Sequence, residues 1–122
     1  MTAEDVRVVV VDDDVDTCDA LKILLELDGY NVRTALDAEQ AMAAVEAHRP
    51  VCVLLDLGLP GIDGIELARR IRATYGGDLV LVALTGWTGD DDRDAAEAAG
   101  VDYVMHKPLD VERLRLVLPP VV

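Results

Sequence analysis

At 122 residues and 13.2 kDa the chain has the length of one ordinary domain. Hydrophobic residues make up 52% of it and the mean hydropathy is +0.24, so a net charge of −13 does not imply disorder. A pI near 4.2 argues against nucleic acid and anionic membranes as direct partners, because binding phosphate needs Lys and Arg to displace counterions.

Cys18 and Cys52 form no CxxC and are too few for a disulfide framework or a zinc site. Cys52, inside VCVLL, reads as a small core residue, and Cys18 as helix packing. No apolar run approaches the roughly 18 residues of a membrane span. The opening MTAEDVR lacks the basic, then apolar, pattern of a signal peptide, so the expected location is the cytoplasm.

In chain order, residues 6–11 are a valine-rich strand that runs straight into Asp12-Asp13-Asp14. A helix follows over about 16–27, with Cys18, Leu21, Leu24 and Leu25 at helical spacing; Asp14 and Asp16 suit its start. A strand at 30–34 precedes a helix at 38–47, for which Asp37 is the N-cap. The third strand, 51–55, ends in Asp56 and is followed by LGLPGIDG, where Asp63 caps a helix over 65–74. The fourth, 79–84, delivers Thr85-Gly86, and a helix at 90–99 begins on three aspartates and ends at Gly100. The fifth, 102–106, delivers Lys107-Pro108; a last helix over 110–118 stops at Pro119-Pro120. His48 and His106 have no partner at metal spacing and read as ordinary.

Strict alternation of strands and helices predicts an α/β fold, a flavodoxin-like doubly wound parallel sheet with helices on both faces. It is expected to be one domain over 1–122, its core at about 5–118, without an output domain. Such sheets bind ligands outside the carboxyl ends of their strands. That edge collects Asp12 and Asp13, Asp56, Thr85 and Lys107. Carboxylates about 4 Å apart repel by several kcal/mol at an effective dielectric near 20, so they need a compensating cation. Hard oxygen donors with an open side suit Mg²⁺ bridging to a phosphate. Asp56 beside such an ion is a phosphoryl acceptor, with Lys107 and Thr85 neutralising the transferring oxygens.

The segments VVVVDDD, LLDLGLPGIDGIELARRIR, ALTG and HKP resemble the receiver (response-regulator) domain of two-component signalling, over essentially the whole chain. The resemblance implies that Asp56 is phosphorylated from a phosphohistidine on a histidine kinase or histidine phosphotransfer protein. It implies that Asp13 ligates Mg²⁺ directly, Asp12 through water, and Gly58 through its carbonyl. Thr85 would be the switch hydroxyl and Lys107 the phosphate partner, with a cis bond before Pro108. It also implies a monomer or a weak phosphorylation-dependent dimer. DLGLPGIDGIELARRIR and HKPLD look closer to the receivers of hybrid histidine kinases. Gly86 leaves access to the phosphate, and Trp87 is expected to shield it in part from water.

Two features depart from that pattern. The aromatic usually found three residues before the lysine is Val104 here, and Tyr103, one place earlier, should face the other side of the sheet. The last helix is short, so the surface of the fourth and fifth strands and helices, often used for dimers, is expected to be incomplete.

Four other readings compete. A calcium loop starting at Asp12 would need Gly at Thr17 and Glu at Ile23. A haloacid-dehalogenase-type phosphatase would need Thr or Val at Asp16 and room for a cap domain. A flavodoxin-like cofactor module would need a Gly- or Ser/Thr-rich phosphate loop after the first strand. A degenerate receiver, acting as a constitutive interaction domain, is disfavoured because all the acceptor and metal residues are present, but Val104 keeps that reading open.

Overall fold

Aliphatic runs that cannot stay in water become five parallel strands: β1 (Arg7–Val11), β2 (Asn31–Ala35), β3 (Cys52–Asp56), β4 (Val80–Thr85) and β5 (Tyr103–His106). Between them lie α1 (Val15–Leu27), α2 (Ala38–His48), α3 (Gly64–Tyr75), α4 (Asp90–Ala98) and α5 (Val111–Val117). The computed structural model describes residues 6–58, 64–86, 90–107 and 109–118. The expectations for Asp63, Trp87, Pro108 and Pro119-Pro120 lie outside the described residues, as do the side chains of Asp90, Asp91 and Asp92.

The strand order is β2-β1-β3-β4-β5, the doubly wound order expected from the alternation. Two apolar layers sandwich the sheet. Val9, Val11, Val53, Leu55 and Leu81 face α2, α3 and α4, whereas Val8, Val10, Cys52, Leu54 and Val82 face α1 and α5. β3 is buried along its whole length, in keeping with its apolar run Cys52–Leu55, and ends in the buried Asp56.

The boundaries differ from the sequence reading by a residue or two. The second strand is Asn31–Ala35 instead of 30–34, because Gly29 and Tyr30 close α1: Tyr30 N–H donates to Leu25 O and Gly29 N–H to Glu26 O. Gly29 carries φ +98, the left-handed cap that only glycine adopts freely. Gly100 plays the expected part after α4, with Val101 N–H donating to Ala96 O. Asp14, Asp37 and Asp110 are true N-caps, each accepting a backbone N–H from the first turn. Asp110 therefore precedes α5 instead of opening it.

Two ion-pair systems were not legible beforehand. Arg72 of α3 donates to the carbonyls of Gly76, Leu79 and Gly100 and to Asp102 Oδ2, while that same oxygen accepts Leu81 N–H. It ties the end of α3 to the starts of β4 and β5, at the sheet edge opposite the acids. Arg115 of α5 grips both carboxylate oxygens of Asp28 at 2.8 and 3.1 Å, joining α5 to the end of α1.

That grip holds the Asp28 carboxyl below its ordinary 3.8. A depressed carboxyl contributes stability above its unfolded value and loses it as pH falls through the folded one. Asp28→Asn should therefore flatten the acid limb of the stability profile below about pH 4, read as urea midpoints at stepped pH. An unchanged acid limb would rule out this contribution.

Candidate functional site

β1, β3, β4 and β5 bring their carboxyl ends to one edge, and the parallel register makes the site. Leu57 N–H donates to Leu84 O at 3.0 Å, setting the end of β3 beside that of β4. Lys107 N–H donates to Thr85 O at 2.8 Å, carrying the β4–β5 pairing one residue past the strand. Asp12 N–H donates to Ala35 O at 3.0 Å, fixing the end of β1 against β2.

Carboxylate oxygens of Asp12, Asp13 and Asp56 lie within 4.8 Å of one another. Asp12 and Asp56 are buried and Asp13 is exposed, so the cluster has a closed floor and an open side. The Lys107 ammonium bridges the floor, 3.2 Å from Asp12 Oδ2 and 3.0 Å from Asp56 Oδ2. The remaining oxygens take backbone donors: Asp14 N–H reaches Asp12 Oδ1 and Gly58 N–H reaches Asp56 Oδ1, both at 2.9 Å. Thr85 is buried at the end of β4.

Burial pushes the Asp12 carboxyl up, and the charge of Asp56 adds to the rise; Asp14 N–H and Lys107 offset only part of it. Burial pulls the Lys107 ammonium down, but the hydrogen bond and charge of Asp56, and then Asp12, more than compensate and leave it raised. Each group thus depends on the other's charge. The donor set fits a hard divalent cation, because acidic oxygens from two strands converge on the exposed Asp13 side.

The structure brings together Asp12, Asp13, Asp56 and Lys107, places Thr85 on the adjoining strand end, and seats Gly58 against the Asp56 carboxylate. Asp14 and Asp16 belong to the start of α1, as expected. His48 is buried with Nε2 3.0 Å from Asn31 O, and His106 is exposed. Cys52 is fully buried and its thiol is pushed up to about 12 by desolvation. Val104 packs into the α2–α3–α4 layer, while Tyr103 is exposed.

Sequence reasoning missed Gly64. A Cβ there would lie 2.5 Å from Leu57 Cα and 2.6 Å from Asp56 O, so α3 begins directly against the backbone of Asp56 and Leu57. The signal available was a glycine at the first helical position, where its low propensity otherwise counts against it.

An open parallel sheet in this order, with an acid cluster and a lysine at its carboxyl edge, defines a flavodoxin-like α/β domain with a charged site at the carboxyl ends of its strands. The family model "Response regulator receiver domain" matches residues 8–118. The chain belongs to the response-regulator receiver family.

An uncharacterized 14.6 kDa protein of Leptolyngbya boryana is 37% identical over 118 residues, covering 95% of this chain and 90% of that protein. The response regulator MprA of Mycolicibacterium vanbaalenii is 38% identical over 109 residues, covering 89% of this chain but only 47% of its own length. The chain thus spans about half of that relative. A CheY-like receiver domain protein from Methanospirillum hungatei superposes with TM-score 0.85 at 29% identity, over 91% of this chain and 88% of the other. A response regulator from Burkholderia pseudomallei, solved with a phosphorylated aspartic acid, a calcium ion and citrate, gives 0.87 at 27%, over 94% and 67%. No helix among the described residues is long and apolar enough to cross a membrane.

Proposed function

We propose that the chain accepts a phosphoryl group on Asp56 from a phosphohistidine of a histidine kinase or histidine phosphotransfer protein, in the cytoplasm. The observation that carries this reading is the Lys107 ammonium bridging Asp12 and Asp56 beside the open carboxylate of Asp13. An Asp56 oxygen attacks phosphorus in line, a P–O bond forms, the P–N bond breaks and the imidazole departs with the bonding pair. Gly58 N–H holds the carboxylate by Oδ1 and limits its rotation. Lys107 moves from Asp12 to one phosphoryl oxygen, and the Thr85 hydroxyl donates to another. Asp12, Asp13, Asp56 and the carbonyl of Gly58 would hold Mg²⁺, which supplies charge neutralisation at the phosphoryl oxygens. The same residues position a water for slow loss of the phosphate, and Thr85 biases a two-state equilibrium that carries the signal.

The donor is expected to dock along α1. Ala20, Ile23, Leu24 and Leu27 recur at helical spacing on the face turned away from the core, and Ile23 and Leu27 are 60% and 78% exposed. Asp16, Asp19 and Glu26 flank them, favouring a partner helix with basic flanks. A largely apolar cavity of about 260 Å³, lined by Thr17, Ala20, Leu21, Leu84, Lys107 and Leu109, continues this face as far as Lys107.

The test is incubation with Mg²⁺ and phosphoramidate, read by intact mass and by fluorescence of the single tryptophan. A phosphate adduct is expected in the unmodified chain and none in Asp56→Asn. An adduct that survives Asp56→Asn would overturn the assignment. Ile23→Ser with Leu27→Ser should slow transfer from a protein donor and leave transfer from phosphoramidate unchanged.

A further inference from the structure

We propose that Cys18 is a positioning residue for the divalent-cation site, acting through the backbone of Asp12. Cys18 lies one turn into α1 and is 1% exposed, packed beneath the end of β1. Its Sγ lies 3.3 Å from Asp12 O and 3.8 Å from Ala35 O, and Ala35 O also accepts Asp12 N–H at 3.0 Å. The thiol therefore donates into the point where β1, β2 and α1 meet. Asp12 O belongs to the peptide unit that joins Asp12 to Asp13, so the plane of that unit fixes the direction in which Asp13 leaves the backbone. Asp12 is held by three further bonds: its own N–H, Asp14 N–H on Oδ1 and Lys107 on Oδ2. Asp13 is the exposed member of the cluster, and its aim is set by the backbone that Cys18 holds.

Helix packing alone would not require sulfur here, since alanine or valine fills a buried helical position without a donor. A thiol in that place supplies a weak hydrogen bond together with apolar volume, and such bonds are worth a modest factor each. The inference rests on the reading of Asp12 and Asp13 as cation ligands, and the measurements below separate the two.

Binding of Mg²⁺ and of Mn²⁺ is measured by calorimetry on the unmodified chain and on Cys18→Ala, Cys18→Ser and Cys52→Ala, with urea stability measured in parallel. Cys18→Ala should weaken binding about two- to fivefold, and Cys18→Ser should recover most of it by restoring a donor. Cys52→Ala, which removes an equally buried thiol from the core, should lose stability without losing cation affinity. If Cys18→Ala does not fold, the S–H stretching band of Cys18, read by Raman in the Cys52→Ala background, carries the test. It should sit at the lower frequency of a bonded thiol and shift when Mg²⁺ is added. Equal affinities in Cys18→Ala and the unmodified chain, equal losses in both cysteine variants, or a band indifferent to Mg²⁺ would overturn the role of Cys18. Absence of Mg²⁺ and Mn²⁺ binding to the unmodified chain would overturn the cation site itself, and the role of Cys18 with it.

Discussion

Replacing Lys107 with alanine is expected to abolish fast phosphoryl transfer and to make the metal-free chain less stable at neutral pH. Without the ammonium, Asp12 and Asp56 face each other with no compensating charge. Breaking a buried pair costs about 3–5 kcal/mol; the Lys107 side chain is 36% exposed, and screening trims this to roughly 1–3 kcal/mol. The pH dependence follows from both shifts. Lys107 is raised above its ordinary 10.5, so its contribution is fully present at neutral pH and is lost only above that value. Asp12 is raised above 3.8, so ionising it costs stability progressively as pH climbs from there. The deficit of Lys107→Ala should therefore shrink as pH falls towards 4 and grow towards 7. Mg²⁺ should restore stability, since it supplies the missing charge, but should not restore transfer. Loss of a donor aimed at the transferring oxygens costs about 10²–10³ in rate. Urea titrations with and without Mg²⁺, and phosphoramidate labelling read by mass, check both halves. A variant as stable as the unmodified chain in chelator at pH 7, or labelled at an unchanged rate, would contradict this account of the bridge.

Gly64→Ala is expected to destabilise the fold, against the usual sign for glycine in a helix. Helix propensity alone would favour alanine by about 1 kcal/mol. The new Cβ, however, would meet Leu57 Cα at 2.5 Å and Asp56 O at 2.6 Å. Both are backbone atoms at the end of β3, so no side chain can rotate away. Overpacking of this kind costs about 1–3 kcal/mol, and the net change should be a loss. Gly77→Ala is the control: nothing lies within 4 Å of its Cβ position, and its stability should hold or rise slightly. Because the displaced atoms carry Asp56, Gly64→Ala should also slow labelling by phosphoramidate, whereas Gly77→Ala should not. Equal urea midpoints for Gly64→Ala and the unmodified chain would show that α3 can slide outward at no cost.

Much of the fold was legible because its signals are local. Valine and leucine runs at β1, β3 and β4 report burial on both faces, and aspartates at 14, 37 and 110 report helix starts. The ends of elements were less legible. The close of α1 turns on hydrogen bonds of Gly29 and Tyr30 back to α1, which no periodicity reveals. Strand alternation set Val104 and Tyr103 apart, and the structure packs Val104 into the α2–α3–α4 layer and leaves Tyr103 exposed.

For the candidate site, residue type and position along the chain specify which chemistry is available and which edge carries it. Carboxylates, a hydroxyl and a lysine directly following strands must share one edge once the strands run parallel. Tertiary structure alone decided how these groups pair. Lys107 and Asp12 stand 95 residues apart in the chain, and only the register of β1, β3, β4 and β5 brings the ammonium between two carboxylates. The close seat of Gly64, the reach of Arg72 across three carbonyls and the thiol of Cys18 under Asp12 are likewise contacts across elements. Residue type and spacing encode local propensity and burial; distances between groups far apart in sequence emerge only when the layers pack.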